Sequence, residues 1–352
     1  MGAFVLCGSL LLTSCSGQAQ ESTSQPSTAT PVAAFESPLP TDILFISSRN
    51  NVQTFYRLKS DDRDDKRLVD TTTRDYQPSL SPDGSKVAFI SEREGTPELY
   101  IMSLESGETT RLTWNIARES TPAWSPDGLR ISFVSEQDGN AEIYVIDADG
   151  QNPTRLTWND VPDRLPVWSP DSRQIAYLSG PDGAATLMIM RADGNDQRAL
   201  TDQGGNESAP AWSPDGSQIA FVRENGTQAD IYLVPASGGT PTRLTDGIGR
   251  NTAPAWSPDG SAIAFVSDRE AGVPGIYRID LNGGSPVRLS EDGVLDEAPV
   301  WAPDGSAIAF ISSRNNNWEL YVMSQDGARQ SRLTSNAYDD WSPRWLVKGA
   351  PR

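Results

Sequence analysis

The sequence contains no histidine among its 352 residues. Histidine is the usual general base near neutral pH and the commonest metal ligand, so a Ser-His-Asp triad, a Cys-His pair and a His-ligated zinc site are all excluded. Only two cysteines occur, Cys7 and Cys15, both near the N-terminus. The rest of the chain therefore holds neither a disulfide nor a thiolate metal site.

Long apolar runs are also lacking, and no stretch approaches the ~20 apolar residues of a membrane-spanning helix. Basic residues are in the minority, because 47 Asp and Glu outnumber 29 Lys and Arg and give a formal charge of −18. An acidic surface repels phosphate backbones, so the composition predicts no nucleic acid partner. Basic proteins, cations and neutral polymers remain compatible with this charge.

A short apolar run from Ala3 to Leu12 has the length of a signal-peptide core and is too short to span a bilayer. It leads into the tetrapeptide Leu-Thr-Ser-Cys, which ends at Cys15 and resembles the bacterial lipobox. The resemblance implies a lipoprotein signal peptide over residues 1–14 and lipidation of Cys15. No Lys or Arg precedes the run, and a plain secretory signal is the alternative.

Residues 15–40 are rich in Ser, Thr, Gln, Ala and Pro, a composition that predicts a disordered tether. Together with the lipidated cysteine, it predicts a protein of the cell envelope that contacts the membrane only through its N-terminal lipid. Ser16 follows the cysteine, which implies the outer membrane or periplasm in a diderm host. In a monoderm host the same pattern implies the outer face of the plasma membrane.

The body of the chain repeats one motif, seen complete as Pro-Ala-Trp-Ser-Pro-Asp-Gly from Pro254. Its copies recur every 44 or 45 residues and begin at Pro78, Pro122, Pro166, Pro210, Pro254, Pro299 and, in clipped form, Pro343. Each unit holds four short β-type runs, and Pro-Asp-Gly turns join the first two runs. Four antiparallel strands in ~44 residues are typical of one propeller blade.

The two ends of the array complement each other. Residues 43–51 nearly duplicate residues 308–316, so the array starts with a second strand that has no first strand before it. Residues 343–347 supply a first strand with nothing after it. Six complete units and this split one predict an all-β, seven-bladed propeller over residues 41–352. Its blades are four-stranded and antiparallel, and the C-terminal strand completes the N-terminal blade.

The repeated signatures Pro-x-Trp-Ser-Pro-Asp-Gly, Ile-Ala-Phe, Ile-Tyr and Arg-Leu-Thr resemble those of the TolB-like propeller family, over residues 41–350. This resemblance is specific for the fold and implies one of three roles. Such propellers serve as periplasmic interaction modules, as gating domains of peptidases, and as lyase scaffolds. We expect the protein to depart from TolB in having seven blades instead of six and no extra N-terminal domain. We also expect no hydrolase domain after the propeller.

Two sets of repeated residues are predicted to be structural. The turn aspartates are expected to bond to the backbone of their own hairpins, and they are Asp83, Asp127, Asp171, Asp215, Asp259 and Asp304. One tryptophan per unit is expected to pack between blades rather than to stack on a ligand. These residues are Trp124, Trp168, Trp212, Trp256 and Trp301.

A third set lies three residues before each proline, and six of its seven members are acidic: Asp75, Glu119, Asp163, Glu207, Asn251, Asp296 and Asp340. In a propeller this loop rims the central channel, so the set suggests a cation site or a socket for a basic partner segment. The structural alternative is that each carboxylate caps a turn or pairs with a nearby arginine such as Arg74, Arg118 or Arg250.

The same rim carries residues that differ between units, which is typical of specific binding. They are Tyr76, Arg164, Glu297 and Trp341, with Trp114, Trp158 and Tyr338 nearby. Trp114 and Trp158 have the alternative of covering blade edges. The candidate binding rim therefore comprises Asp75, Tyr76, Glu119, Asp163, Arg164, Glu207, Asp296, Glu297, Asp340 and Trp341.

We therefore expect a monomeric, non-enzymatic interaction module without a cofactor, whose partner is a protein or a polymer of the cell envelope. One alternative is a carbohydrate-active enzyme that uses a pair of carboxylates. Another is a module that binds a cation or a small molecule at the channel mouth. Lyases of this scaffold type resemble metal enzymes with His ligands, and this sequence supplies no such ligand.

Overall fold

The computed structural model describes residues 33–35, 38–61, 63–69, 72–202, 205–270 and 272–347. The predicted signal peptide, Cys15 and the predicted tether as far as residue 32 lie outside these residues. Within the described residues, no helix has the length and apolar character needed to span a membrane. Their regular structure is β-strand throughout, apart from one short 3-10 helix at Arg49–Asn51.

The strands form seven antiparallel sheets of four strands, the blades of a propeller. Blade 1 contains β1 (Ile43–Ser47), β2 (Thr54–Leu58) and β3 (Asp65–Arg67), and blade 2 contains β4 (Asp75–Leu80), β5 (Lys86–Ser91), β6 (Glu98–Ser103) and β7 (Thr109–Arg111). Blade 3 contains β8 (Glu119–Trp124), β9 (Arg130–Ser135), β10 (Glu142–Asp147) and β11 (Thr154–Arg155), and blade 4 contains β12 (Asp163–Trp168), β13 (Gln174–Ser179), β14 (Thr186–Arg191) and β15 (Arg198–Ala199).

The remaining three blades follow the same order along the chain. Blade 5 contains β16 (Asn206–Trp212), β17 (Gln218–Asn225), β18 (Gln228–Pro235) and β19 (Thr242–Arg243). Blade 6 contains β20 (Asn251–Trp256), β21 (Ala262–Ser267), β22 (Gly275–Asp280) and β23 (Val287–Arg288). Blade 7 contains β24 (Asp296–Trp301), β25 (Ala307–Ser312), β26 (Glu319–Ser324) and β27 (Gln330–Arg332), and β28 (Asp340–Trp345) comes last.

The last strand closes the ring. Strand β28 is the innermost strand of blade 1, whose order is β28-β1-β2-β3. It pairs antiparallel with β1, and its register sets Ile43 opposite Trp345 and Ser47 opposite Asp340. The predicted seven blades, and their closure by a C-terminal strand, are confirmed.

Each innermost strand carries a bulge in the same place. The register shifts across the repeat proline of these strands, as between Tyr76 and Ser79 in β4. The residue before each repeat proline has a positive φ: Gln77, Thr121, Leu165, Ala209, Ala253, Ala298 and Ser342. Such backbone is uncommon for non-glycine residues, so the bulge belongs to the repeat and separates the acidic position before it from the Trp position after it.

The hydrophobic core lies mainly between neighbouring blades. A cross-strand aromatic pair occupies the second and third strands of most blades, as for Phe89 and Tyr100, whose ring centroids are 5.9 Å apart. Such pairs add to the stabilisation that comes from area burial. One cluster joins Leu44 and Phe55 of blade 1 to Val87 and Phe89 of blade 2. Each blade thus buries its apolar face on its neighbour, as a repeat array requires.

The repeated tryptophans from Trp168 onward bond to adjacent blades, which confirms their structural role. Trp124 is buried as well, but its indole N–H has no partner within the described residues. The indole Nε1–H of Trp168 donates to the backbone carbonyl of Ala123 in the preceding blade at 3.0 Å. Trp212, Trp256, Trp301 and Trp345 make the same bond to the blade before them. Most of these rings are almost fully buried. A buried indole with a satisfied N–H is a packing residue rather than an open stacking platform.

The turn aspartates bond within their own hairpins, as predicted. The carboxylate of Asp259 accepts hydrogen bonds from the Ser257 hydroxyl at 2.6 Å and from the Ser261 backbone N–H at 3.0 Å. These bonds lower the pKa of Asp259 to about 2, because they favour its charged form. The following Gly260 has a φ of 71°, which a glycine adopts without strain.

The end of the predicted tether differs from the expectation. The sequence predicts disorder to residue 40, yet Phe35 and Leu39 are buried against the propeller. Residue Ala33 forms a parallel bridge with Arg329, and the Phe35 backbone N–H donates to the Ser331 hydroxyl at 2.8 Å. Two isolated apolar residues in a polar stretch did not suggest order, because their burial depends on a groove that blades 7 and 1 provide. The ordered body therefore begins before residue 41.

Deletion of residues 341–352 is expected to destabilise the whole domain. It removes β28, which leaves β1 as an unpaired inner edge and deletes the buried Trp345. Loss of one buried tryptophan side chain alone costs about 3–5 kcal/mol, so we expect the thermal midpoint to fall by at least about 10 °C. Deletion of residues 348–352 leaves β28 complete and is the control. Equal melting temperatures for the two deletions would contradict ring closure by β28.

Candidate functional site on the loop face

The loops of the propeller divide between two faces. Because the strands of each blade are antiparallel, loops from an outermost strand to the next innermost strand share one face with loops from second to third strands. We name this the loop face. The opposite face, which carries the Pro-Asp-Gly turns and the turns from third to fourth strands, is the turn face.

The seven predicted rim positions at the start of the innermost strands are buried. Asp75, Glu119, Asp163, Asn251, Asp296 and Asp340 are 0% exposed, and Glu207 is 1% exposed. The structure therefore places these side chains inside the blades, where they present no ring of charge to solvent. The described residues contain no group of three or more acidic, Cys or His side chains arranged to hold a metal ion.

Arginines from the ends of second strands hold most of these carboxylates. Arg93 bonds Asp75 at 3.2 Å, and the equivalent Arg314 bonds Asp296 at 3.1 Å. Arg223 pairs with Glu207 at 2.6 Å. These arginines come later in the chain than the adjacent arginines that the sequence suggested as partners. Arg250, one of those adjacent arginines, pairs with Glu224 instead. A buried carboxylate needs such a partner, because an unpaired buried charge is costly.

Blades 3 and 4 lack this arginine. The equivalent residues are Gln137 and Pro181, so the carboxylates of Glu119 and Asp163 rely on neutral donors. The side-chain amide of Asn115 donates to Glu119 at 2.6 Å, and that of Asn159 donates to Asp163 at 2.7 Å. Burial raises the pKa of Glu119 to about 7, and the pKa of Asp163 is raised for the same reason.

A second set of buried carboxylates was missed from the sequence. They lie at or near the start of the third strands, and they are Glu98, Glu142, Asp230 and Glu319. The arginine of the Arg-Leu-Thr signature holds them, as in the pair of Arg332 and Glu319 at 2.6 Å, and the Thr334 hydroxyl donates to the same Glu319. The signal was an acidic residue directly before the Ile-Tyr or Leu-Tyr signature in these units. The Arg-Leu-Thr signature therefore serves the fold.

The variable rim residues remain partly exposed. The Arg164 guanidinium donates to the Gly180 carbonyl at 2.7 Å and pairs with Asp182. Burial raises the pKa of Tyr76 to about 12 and also raises the pKa of Glu297. Trp341 packs against the cluster between blades 1 and 2. Of the predicted rim, these four residues are the ones that solvent reaches.

The three most exposed apolar side chains of the loop face lie on two successive loops. Trp114 is 77% and Ile116 is 96% exposed on the loop between blades 2 and 3. Trp158 is 72% exposed on the loop between blades 3 and 4, where Val161 is also exposed. We name these four residues the Trp loops. Their exposure excludes the alternative in which the two tryptophans cover blade edges.

Two arginines stack on the tryptophans of the Trp loops and hold them in place. The guanidinium of Arg111 lies 4.6 Å from the ring centroid of Trp114, and that of Arg155 lies 4.3 Å from Trp158. Each arginine is itself paired with a buried glutamate, which fixes its position. Stacking on one side of each ring leaves the other side open to solvent, so the two indoles present flat, preorganised apolar surfaces.

Charged residues surround the Trp loops. Glu94, Glu136, Asp138 and Asp160 are exposed on the same face of blades 2 to 4. Arg118 supplies an exposed positive charge there. Aromatic side chains within a mainly acidic surround are suited to a partner that combines apolar and basic groups.

A polar cavity of about 460 Å³ lies on the loop face between blades 7 and 1. Its lining includes Ser48, Asn51, Asn317 and Asp339. The Asn317 amide is already engaged with two backbone carbonyls of the loop before β28. The hydrogen bonds that hold these loops therefore already use some of the polar groups that line the cavity.

The sequence model of the TolB beta propeller domain matches residues 9–122, 116–208 and 165–350. The chain belongs to the TolB β-propeller family. This match covers the whole described ring and agrees with the signatures that the blades use for packing and charge pairing. A search of curated protein sequences finds no significant match.

Solved structures share the fold of this TolB-family chain. TolB from Acinetobacter baumannii is 23% identical, with 88% of this chain and 67% of that chain covered and a TM-score of 0.59. Oligogalacturonate lyase from Vibrio parahaemolyticus is 15% identical, with 83% and 89% covered and a TM-score of 0.67. A Mycobacterium tuberculosis puromycin-hydrolyzing peptidase is 15% identical, with 88% and 55% covered and a TM-score of 0.70. The chain thus spans about half of the peptidase, and at these identities the likeness concerns the fold alone.

Glu119→Gln is expected to stabilise this TolB-family propeller at about pH 8 and to change little below about pH 5. Because the folded-state pKa of Glu119 is raised to about 7, its stability contribution is fully present below the ordinary value of 4.5 and is lost as pH rises through about 7. The neutral amide does not pay this penalty, so we expect a gain on the order of 2 kcal/mol at about pH 8 from urea unfolding.

The matched control is Glu207→Gln. Glu207 occupies the same position in blade 5 but pairs with Arg223 at 2.6 Å, so its neutral variant leaves a cation without its partner. We expect this control to lose stability at about pH 8, where Glu119→Gln gains it. Loss of stability in both variants would show that Glu119 is stabilised in its charged form.

Proposed function

We propose that this protein is a lipid-anchored interaction module outside the cytoplasm, and that it binds a protein of the cell envelope without enzymatic activity. The observation that carries the proposal is the exposure of the Trp loops. Two preorganised indoles and Ile116 face solvent beside acidic groups, and the fold needs none of this exposure. Large aromatic side chains of this kind are the usual energetic anchors of protein interfaces.

The placement of the repeated polar residues supports a non-enzymatic role. The carboxylates that recur in the blades are buried, and most are held by arginines, amides or hydroxyls of their own blade. The turn aspartates are used by their hairpins. A glycosidase-like pair would need two carboxyl groups that flank an open substrate site. The repeated carboxylates instead serve the blades that contain them.

The point at which the chain joins the propeller supports the anchored arrangement. Ala33 pairs with Arg329, which directly precedes β27 and lies at the turn face. A tether that joins at the turn face leaves the loop face free for a partner. Lipidation of Cys15 is the remaining element of the proposal and rests on the lipobox resemblance.

Cys15→Ser is expected to move the protein from the membrane fraction to the soluble fraction of the envelope. Without the thiol no diacyl group is added, and nothing else in the proposal holds the chain on a membrane. Cell fractionation and mass spectrometry of the mature N-terminus measure the change. Cys7→Ser is the matched control and should leave the mature protein unchanged, because Cys7 lies within residues 1–14. Unchanged membrane association of Cys15→Ser would refute the anchor.

Affinity capture from the detergent-solubilised envelope tests the binding role. The wild-type protein is expected to capture a specific protein, and Trp114→Ser/Trp158→Ser should weaken that capture at least about tenfold, since aromatic anchors dominate interface energies. The control is Leu129→Ser, which removes a side chain that is 66% exposed on the turn face. If the double variant captured the partner as well as the wild type does, the Trp loops would not be the binding surface. Recovery of glycans alone would favour a carbohydrate-active protein instead.

A further inference from the structure

Arg344 breaks the pattern of the innermost strands. It is the fifth residue of β28, and the six equivalent positions hold small or uncharged residues: Ser79, Ala123, Val167, Ala211, Ala255 and Val300. Their equivalence follows from the register, because each lies opposite the second strand of its blade just after the bulge, as Arg344 lies opposite Leu44. Blade 1 alone thus carries an arginine at this position of the innermost strand.

The opposite side of the same seam is also altered. In other seams the small residue packs beside the tryptophan of the next blade, as Ala123 does beside Trp168. In the seam between blades 1 and 2, that tryptophan is replaced by Leu80. The longer Arg344 and the shorter Leu80 are thus opposite changes in side-chain volume on the two innermost strands of this seam.

These changes in volume do not explain the charge. The other arginines near the innermost strands face a carboxylate or an amide, as Arg93 faces Asp75 and Arg314 faces Asp296. No acidic side chain of the described residues forms an ion pair with Arg344 or offsets its charge, and burial lowers the pKa of its guanidinium. A methionine or leucine would fill the space without the cost of an unpaired cation.

The guanidinium keeps donors available. Its Nη1 donates to the backbone carbonyl of Pro343 at 2.9 Å, and this is its one hydrogen bond within the described chain. Nε and Nη2 make no hydrogen bond within the described chain, and neither atom is completely enclosed. Arg344 as a whole is partly exposed. The Arg344 guanidinium thus has unbonded N–H groups in poorly solvated surroundings. Such a group is suited to binding an anion.

We propose that Arg344 is the recognition residue of an oxyanion site on the innermost strand of blade 1. The ligand is a small molecule or a partner group that carries a carboxylate or a phosphate. The guanidinium fork donates two parallel hydrogen bonds to two oxygens of the group, and the oxyanion supplies the counter-charge that blade 1 lacks. This site is separate from the Trp loops and does not depend on the proposed protein partner.

The test uses sodium phosphate and sodium acetate as probes, with sodium chloride at matched ionic strength as the reference. Thermal unfolding and titration calorimetry are measured on the full chain. We expect saturable binding at one site per chain and a higher melting temperature in the oxyanion than in chloride, because a ligand that binds only the folded state stabilises it. A stronger response to phosphate identifies a phosphate ligand, and a stronger response to acetate identifies a carboxylate.

Three variants decide the assignment. Arg344→Met keeps the apolar stem without the charge, and it should abolish the oxyanion response while it raises the melting temperature in chloride. Arg344→Lys keeps the charge without the fork and should weaken oxyanion binding at least about tenfold. Arg344→Ala/Leu80→Trp restores the pattern of the other seams; it should fold and show no response, which keeps the test valid if Arg344→Met fails to fold. An oxyanion response equal to wild type in a folded Met or Ala/Trp variant would overturn the proposal, as would the lack of any response in wild type.

Discussion

The pairing of β28 with β1 is the constraint on which the other interactions depend. Each blade buries its apolar face on the next, so every seam is complete only when the ring is closed. The buried Trp345 takes part in this closure twice, since it lies opposite Ile43 in the sheet and donates its indole N–H to Val300 of blade 7. Closure therefore joins the first and last blades by the same indole bond that joins blades 3 to 7 to one another.

Within that ring, charge is used in two different ways. The repeated signatures place carboxylates and arginines where they neutralise each other inside the blades, as Glu319 and Arg332 do. Where the pattern changes, charge or aromatic surface is left unmatched: Glu119 lacks its arginine, Arg344 lacks a carboxylate, and Trp114 faces solvent. Structural residues agree between blades, and the residues available for binding are those that differ.

The sequence predicts the fold well because the spacing of the repeat motif determines the fold. A period of 44 or 45 residues, together with a split first unit, determines the blade count and the closing strand. Burial of the acidic positions does not follow from spacing, because the arginine that pairs with Asp75 comes from 18 residues later, at the end of the adjacent strand. The order of Phe35 and Leu39 was equally hidden, since it depends on a groove that residues far along the chain create. The exposure of Trp114 does not follow from the sequence either, because a tryptophan after an outer strand has similar local sequence whether it covers an edge or faces water.

The attachment of residues 33–35 to blade 7 has a mechanical consequence. A pull on the chain before Ala33 meets the parallel contacts to Arg329 and Ser331 first, and then the buried side chains of Phe35 and Leu39. Only after these have yielded does the load reach β1 and its pairing with β28. The contacts of residues 33–35 and Leu39 therefore protect the pairing of β28 with β1 from forces applied on the N-terminal side.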